Sequence, residues 1–185
     1  MRRALKTDDW SQLSDKVFRR LICYEPLQQA TVVHCYLSVE SEREVDTRPV
    51  LSWLLGAGKR VCVPVVVGKQ MVSVCYDDRM TMVAGKFGVP EPEKKTRVDE
   101  SQIELVLVPL LAADRSGNRL GYGKGYYDRF FNRLALEEKI FPIKVGLAFD
   151  FQLVEEVPIF KTDNHEDVPL DAIVTEKNLI YIKRR

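Results

Sequence analysis

Apolar residues follow two different periods along the chain. Near the N-terminus, Trp10, Leu13, Val17 and Leu21 recur at intervals of three or four positions, which is the spacing of one buried helix face. Thr7 stands just before two acidic residues, a pattern typical of a helix start. The first element is therefore predicted to be a helix packed against a sheet.

Farther along, the apolar residues stand in short runs rich in β-branched side chains, which are typical of buried strands. Between the first two runs, Pro49 and Gly56 bound a helical stretch that Asp46 or Thr47 can cap. This β-α-β order predicts two parallel strands, and Gly68 is expected to turn the chain into a hairpin with the third run. The runs cover residues 31–37, 60–67, 71–76, 103–109, 143–149, 172–176 and 179–183.

The order of these elements predicts the fold class. Strands that alternate with helices form a mainly parallel sheet covered by helices. We find no internal repeat, low-complexity segment or linker, so we expect one α/β domain over residues 1–185. Ligands of such sheets bind beyond the carboxyl ends of the strands. The loops 38–47, 110–127 and 163–171 are expected to meet there.

Composition narrows the class of protein. The 185 residues are 45% hydrophobic and 30% charged, as in ordinary globular proteins. The 28 basic and 27 acidic residues leave a formal charge of +1, which argues against nucleic acid or an anionic membrane as partner. No apolar run approaches a membrane span, and no signal-peptide core precedes the first helix. The four cysteines form no C-x-x-C pair, so we expect reduced thiols in a cytoplasmic protein.

The segment 103–131 has the strongest chemical pattern of the chain. A strand is followed by a glycine-rich basic loop and then by a helix, the arrangement that binds phosphate through backbone N–H groups. It is not a P-loop, because Asn118 stands where the first glycine is needed and Gly125 follows Lys124. It is not a dinucleotide fingerprint either, because Tyr126 replaces the third glycine. A nucleotide-dependent enzyme of another type is predicted.

Charged residues around this loop suggest a phosphate and metal site. Arg119 and Lys124 are the candidate phosphate contacts, although both also suit an exposed surface. Asp128 falls in the first helical turn, where an acid either stabilises the helix dipole or ligates Mg²⁺ beside phosphate oxygens. A second carboxylate would come from Asp114, or from Asp167 or Asp171 in the downstream acidic segment.

Other polar residues are weaker candidates. Glu44, in the loop after the first strand, would contact a nitrogen heterocycle only if the fold brings it opposite the glycine-rich loop. Tyr122 and Tyr126 could then supply a flat aromatic wall for that ring. His34 lies inside an apolar run and is interpreted as a core histidine, and His165 as a surface residue.

The residues 114–128, DRSGNRLGYGKGYYD, closely resemble the signature of the 5-formyltetrahydrofolate cyclo-ligases, also called methenyltetrahydrofolate synthetases. The resemblance extends over about residues 30–176, through 37–47, 58–64, 87–92 and 167–176. It implies a Rossmann-like three-layer fold of the cyclo-ligase type. It also implies conversion of 5-formyltetrahydrofolate to 5,10-methenyltetrahydrofolate, with ATP and Mg²⁺ and release of ADP and phosphate. In that reaction the formyl oxygen attacks the γ-phosphate, and N10 then attacks the activated carbon.

The resemblance also implies roles for particular residues. Lys124, Arg119 and Asp128 are expected to act in catalysis. Glu44, Leu37, Tyr122 and Tyr126 are expected to bind the folate, and Asp128 and Asp167 to hold Mg²⁺. ATP is expected to lie against Arg119, Leu120, Gly121, Tyr122, Gly123, Lys124, Gly125, Tyr126 and Tyr127.

The chain departs from the family pattern in three places. The basic N-terminal helix is shortened to a segment beginning Arg2-Arg3, Leu110 and Ala113 replace other residues under the loop, and Tyr122 stands where some relatives place Arg. Two other functions therefore stay open: a paralogous ATP-dependent enzyme for another metabolite, and a nucleotide-binding module without catalysis. A monomer or weak dimer is expected.

Overall fold

The computed structural model describes residues 2–138, 141–158 and 167–183. Its α-helices are α1 (Thr7–Leu21), α2 (Glu25–Gln29), α3 (Arg48–Gly56) and α4 (Tyr126–Arg133). Its strands are β1 (Val32–His34), β2 (Arg60–Val67), β3 (Gln70–Tyr76), β4 (Met82–Ala84), β5 (Pro90–Pro92), β6 (Leu105–Pro109), β7 (Ala112–Ala113), β8 (Arg119–Leu120), β9 (Ile143–Leu147), β10 (Ala172–Val174) and β11 (Leu179–Tyr181).

Seven strands form one sheet in the order β11-β10-β9-β6-β1-β2-β3. The five inner strands are parallel to one another, and the two edge strands β3 and β11 are antiparallel to their neighbours. The predicted β-α-β unit and the hairpin at Gly68 are therefore confirmed, and the run 179–183 forms the edge strand β11. The predicted mainly parallel α/β sheet is the observed one.

Alternate side chains of the central strands enter two separate cores, as the period of two in a strand requires. Val33 and Leu107 pack with Trp10, Val17 and other apolar residues of the helices α1, α2 and α3 on one face. On the opposite face, the strand residues Val32, Val106 and Val108 form a second core. Its helical residues are Phe130 and Phe131 of α4 and Leu134 just after it. The result is three layers, with helices on both sides of the sheet.

The structure adds short elements that the sequence pattern did not indicate. The helix α2 follows α1 directly, and two small hairpins, β4–β5 and β7–β8, lie outside the main sheet. Thr47 occupies the N-cap position of α3, but its hydroxyl donates to the carbonyl oxygen of Tyr36 (2.8 Å) instead of capping the helix. In the described part of the chain, no helix is long and apolar enough to cross a membrane.

Strand order determines where a ligand site can form. The strands β1 and β6 are neighbours and parallel, so the loops that follow them leave the sheet at the same edge. These loops cover residues 35–47 and 110–125 and contain Glu44 and the glycine-rich segment. The two loops therefore lie next to each other, as expected from the sequence. Of the third predicted loop, residues 163–166, with His165, lie outside the described residues.

Candidate nucleotide and folate site

The glycine-rich segment begins with a tightly hydrogen-bonded turn built around Asp114. The Asp114 carboxylate is 2% exposed and accepts the backbone N–H groups of Ser116, Asn118 and Val157 at 2.8–3.1 Å. Burial raises the pKa of Asp114, but these hydrogen bonds together hold it below the ordinary value. Asp114 therefore shapes the loop, and its carboxylate is occupied by donors that a metal ion would have to displace.

The turn is closed by a close approach between two backbones. Gly117 has φ +90°, and its N–H donates to the carbonyl oxygen of Asp114 (3.1 Å). Its carbonyl oxygen accepts the N–H of Leu170 (2.9 Å), and a Cβ atom at Gly117 would lie 2.8 Å from the Leu170 carbonyl oxygen. Glycine is required here by both conformation and space. The segment before β10 is thereby attached to the loop.

Beyond the hairpin β7–β8, the loop becomes exposed. Residues 121–124 are all solvent-exposed, and Gly125, with φ +60°, occupies the N-cap position of α4. The helix therefore starts directly after the glycines, with its first-turn N–H groups and the positive end of its dipole beside them. Lys124 lies on this exposed part. Tyr126 is half-buried, with the Arg129 guanidinium carbon 5.0 Å from its ring centroid.

Arg119, a predicted phosphate contact, lies below the loop in an ion pair. Its Nη2 donates to Asp128 Oδ1 at 2.6 Å, and its Nη1 donates to the Val168 carbonyl oxygen. The guanidinium carbon also lies 5.7 Å from the ring centroid of Phe131. The side chains of Arg119 and Asp128 are only 6% and 18% exposed. Arg119 thus joins the loop, the helix α4 and the segment before β10.

Asp128 and Asp167, the predicted metal ligands, lie within electrostatic reach of each other. Asp128 Oδ1 also accepts the N–H of Val168 (3.1 Å), which places the exposed Asp167 beside it. Burial raises the pKa of Asp167, and the negative charge of Asp128 raises it further. Two mutually repelling carboxylates beside a phosphate-type loop suit Mg²⁺, which usually takes one or two carboxylates together with phosphate oxygens. The described residues contain no cluster of three or more metal-ligating side chains.

Glu44 reaches the glycine-rich loop from the opposite side. Its carboxylate accepts the backbone N–H of Val39 at Oε2 (2.9 Å) and the hydroxyl of Tyr122 at Oε1 (3.1 Å). Glu44 is 5% exposed, and burial raises the pKa of its carboxyl. Trp10, interpreted above as a core residue, is 3% exposed and donates its indole N–H to the Glu44 carbonyl oxygen (2.6 Å). The fold therefore brings Glu44 opposite the glycine-rich loop, which is the condition stated above for its contact with a nitrogen heterocycle.

Arg2 is a member of this site that the sequence did not identify. Its guanidinium is nearly buried and donates to the hydroxyl of Tyr122 (2.5 Å) and to the carbonyl oxygen of Leu110 (2.9 Å). Its Nε donates to the Glu42 carbonyl oxygen (2.6 Å). A basic pair at positions 2 and 3 was the only sequence signal. No local pattern indicates which of the two arginines enters the site.

Tyr127 and His34 lie under the loop. The Tyr127 ring centroid is 6.4 Å from that of His34, and burial raises the pKa of the Tyr127 phenol well above its usual range. Nδ1 of His34 is 3.0 Å from Ser73 Oγ, consistent with a core histidine. Within the described residues, the Tyr127 hydroxyl and the other His34 ring nitrogen have no hydrogen-bond partner. Leu37, expected at the folate site, is 9% exposed in the core.

A recess adjoins the Glu44 side of the site. It has a volume of about 380 Å³ and opens between residues 38–41 and 88–90, with Arg48 at its rim. Val39, which hydrogen-bonds Glu44, is one of its lining residues. The recess is therefore connected to Glu44 through the backbone of Val39.

Comparison with known proteins agrees with this architecture. The family model described as the 5-formyltetrahydrofolate cyclo-ligase family matches residues 1–176. A 5-formyltetrahydrofolate cyclo-ligase of Escherichia coli K12 is 33% identical over 179 residues, which are 94% of this chain and 93% of the relative.

Solved structures of the same kind superpose on the chain. An NMR structure of Aquifex aeolicus 5,10-methenyltetrahydrofolate synthetase matches with a TM-score of 0.83 and 31% identity, over 100% of this chain and 88% of that one. A 5,10-methenyltetrahydrofolate synthetase from Mycoplasma pneumoniae matches with a TM-score of 0.70 and 25% identity, over 95% and 92% of the two chains.

Proposed function

Because the chain belongs to the 5-formyltetrahydrofolate cyclo-ligase family, we propose that it converts 5-formyltetrahydrofolate to 5,10-methenyltetrahydrofolate with consumption of ATP. The observation that carries the assignment to this site is the hydrogen bond between Tyr122 and Glu44. It joins the glycine-rich loop to the loop after β1, so a nucleotide on one and a folate on the other would be adjacent.

The proposed reaction needs positioning and charge neutralisation more than a protein nucleophile. The formyl oxygen attacks the γ-phosphorus and ADP leaves, which makes the formyl carbon electrophilic. N10 then attacks that carbon and releases its proton to the solvent, and the C–O bond to phosphate breaks as the ring closes, so that phosphate leaves. Lys124 and the backbone N–H groups of residues 121–126 are suited to bind the phosphates. Glu44 is suited to accept N–H groups of the folate ring.

Asp128 and Asp167 are the residues that would hold Mg²⁺. When bound, the ion would neutralise charge on the phosphate oxygens during transfer. Arg119 competes for the same carboxylate, since Asp128 Oδ1 accepts its Nη2 at 2.6 Å. We therefore assign Arg119 first to orienting Asp128, and contact with phosphate would require its side chain to leave Val168. Leu120, Tyr126 and Tyr127 complete the proposed nucleotide-binding segment, and Leu37 lies behind the folate side.

A single assay tests the function. Purified protein is mixed with ATP, Mg²⁺ and 5-formyltetrahydrofolate, and methenyltetrahydrofolate is followed by its absorbance while ADP is measured in parallel. We expect equal amounts of the two products, and no product without ATP. Absence of product from folded protein would contradict the assignment. ADP formed only with another metabolite would favour the paralogous enzyme. Cytoplasmic location, one domain over residues 1–185 and a monomeric or weakly dimeric state remain predictions.

A further inference from the structure

We propose that Arg2 is a positioning residue that holds the Tyr122 hydroxyl against Glu44 and so determines how tightly the folate binds. This inference rests on the proposed function, because it assumes that Tyr122 and Glu44 face the folate. Arg2 is the first residue that the structure describes, and it lies outside the glycine-rich signature.

The guanidinium of Arg2 donates hydrogen bonds to three protein acceptors. Each of its three nitrogens donates one hydrogen bond: Nε to Glu42, Nη1 to Leu110 and Nη2 to Tyr122, at 2.5–2.9 Å. With only 8% of the residue exposed, none of these bonds is easily exchanged for water. Arg2 is therefore held in one position with its fork directed into the site.

The three acceptors lie on both walls of the site. Glu42 belongs to the loop after β1, and Leu110 and Tyr122 belong to the loop after β6. A planar group with five fixed N–H donors can bridge such separate acceptors, whereas a lysine ammonium carries only three donors on one nitrogen. Arg2 thus fixes the distance between the walls as well as the position of Tyr122.

The bond from Arg2 also sets the direction of the Tyr122 O–H group. The phenol oxygen accepts the proton of Arg2 Nη2, so its own proton is directed to Glu44 Oε1, 3.1 Å away. Glu44 Oε2 accepts the N–H of Val39. Both carboxylate oxygens are therefore oriented, and the half-exposed ring of Tyr122 is held beside them, with its centroid 5.9 Å from the Arg2 guanidinium carbon.

A direct contact between Arg2 and the phosphates of ATP is the competing explanation. With only 8% of the residue exposed, Arg2 would have to move out of the hydrogen bonds that join the two loops in order to reach a phosphate. The two explanations differ in the substrate whose binding depends on Arg2. A positioning role affects 5-formyltetrahydrofolate, and a phosphate contact affects ATP.

The test is a double-mutant cycle with Arg2→Gln, Tyr122→Phe and the combined variant, with Arg3→Gln as the matched control. Arg3 is the adjacent arginine, but its side chain is 72% exposed and pairs with the Glu42 carboxylate on the surface. For each protein, kcat and the KM of both substrates are measured, together with the thermal midpoint. A positioning role would raise KM for 5-formyltetrahydrofolate but not for ATP, and the effects of the two substitutions would be coupled. A purely structural role would not change the KM of one substrate selectively.

We expect Arg2→Gln and Tyr122→Phe each to raise KM for 5-formyltetrahydrofolate about tenfold, the effect of losing a hydrogen bond to a charged donor. KM for ATP should change less than about twofold in both variants, because both keep Lys124 and the backbone N–H groups of residues 121–126 that are proposed to bind the phosphates. The KM of the combined variant for 5-formyltetrahydrofolate should be no higher than that of the single variant with the higher KM, because both changes break the same chain of hydrogen bonds. Arg3→Gln should behave as wild type.

A rise in KM for ATP with an unchanged KM for the folate would overturn the proposal in favour of a phosphate contact. Additive effects of the two substitutions would also overturn it. If Arg2→Gln does not fold, Arg2→Lys replaces it in the cycle with the same expectations, since it keeps the charge and loses the fork. If the wild-type protein forms no product, the proposed function fails, and calorimetric dissociation constants for 5-formyltetrahydrofolate then decide the role of Arg2.

Discussion

Asp128→Ala is the most informative single change, because Asp128 has both a proposed catalytic role and a visible structural one. Its Oδ1 accepts Nη2 of Arg119 at 2.6 Å and the N–H of Val168 at 3.1 Å. Removing the carboxylate leaves the Arg119 guanidinium, whose side chain is 6% exposed, without its counter-charge. A metal ligand alone would affect turnover far more than stability, and the ion pair adds a definite loss of stability.

The size of that loss follows from the burial of the pair. Removing one partner of a buried ion pair typically destabilises a protein by about 3–5 kcal/mol. Arg119 retains the Val168 carbonyl oxygen and the ring of Phe131, so we expect the lower end, about 3 kcal/mol. For a protein of this size, that corresponds to a fall in the thermal midpoint of roughly 6–12 °C. A protein with the usual stability of about 5–15 kcal/mol remains folded.

The loss of stability can be separated from the loss of catalysis with a second variant. In Arg119→Met/Asp128→Ala both members of the buried ion pair are removed, so we expect it to recover at least half of the roughly 3 kcal/mol in urea unfolding. Turnover of Asp128→Ala, measured well below its thermal midpoint, should fall at least about 100-fold if Asp128 holds the metal ion. A loss of stability below about 0.5 kcal/mol, the range of ordinary surface changes, would refute the importance of the ion pair. Near wild-type turnover would show that Asp128 acts only in the fold.

Three further predictions concern the loop, the core and the sheet. Lys124→Ala should weaken ATP binding by about 1.5–3 kcal/mol, measured by calorimetry, with Lys94→Ala at an exposed position as the control. If Lys124→Ala and the wild-type protein have equal dissociation constants for ATP, Lys124 does not belong to the phosphate site. Burial lowers the pKa of His34 from 6.5 to about 3, so the folded protein excludes a proton that the unfolded chain binds. Stability from this residue is complete above pH 6.5 and falls by about 1.4 kcal/mol per unit between pH 6.5 and 3; His34→Phe should flatten this slope in urea unfolding. A Cβ atom at Gly146 would lie 2.6–2.8 Å from two leucine side chains, so Gly146→Ala should destabilise the protein by about 1–3 kcal/mol. The control Gly56→Ala should be neutral or stabilising, because a Cβ atom there would have nothing within 4 Å. Equal thermal midpoints for the two variants would contradict this account of the packing.

The long, regular elements of the fold were predictable because each has one dominant pattern. The stripe beginning at Trp10 has a single period, and the observed helix covers Thr7–Leu21. The β-branched runs of the sheet appear as strands, although the run 31–37 shortens to Val32–His34. Residues 35–37 of this run bend into the loop that carries Glu44. The hairpin β7–β8 was not predictable, because strands of two residues contain no period.

The site was predictable only as far as its residues carry local signals. The glycine-rich loop and Glu44 were singled out from residue types and neighbouring elements. One hydrogen bond of Asp114 comes from Val157, 43 positions away, and one of Arg2 goes to Leu110, 108 positions away. Such long-range contacts leave no pattern in the sequence. For the same reason, the ion pair of Arg119 and Asp128 could not be distinguished from two independent ligand contacts.

The hairpin β7–β8 also has a consequence for the entropy of ligand binding. Ordering one backbone residue opposes binding by roughly 1–2 kcal/mol. In this loop, residues 111–120 are already held by the hairpin and by the Asp114 turn, and Tyr122 is tethered by Arg2. A phosphate ligand therefore has only the short glycine tip left to organise. Much of the conformational freedom that a loop of this length would lose on binding is lost during folding.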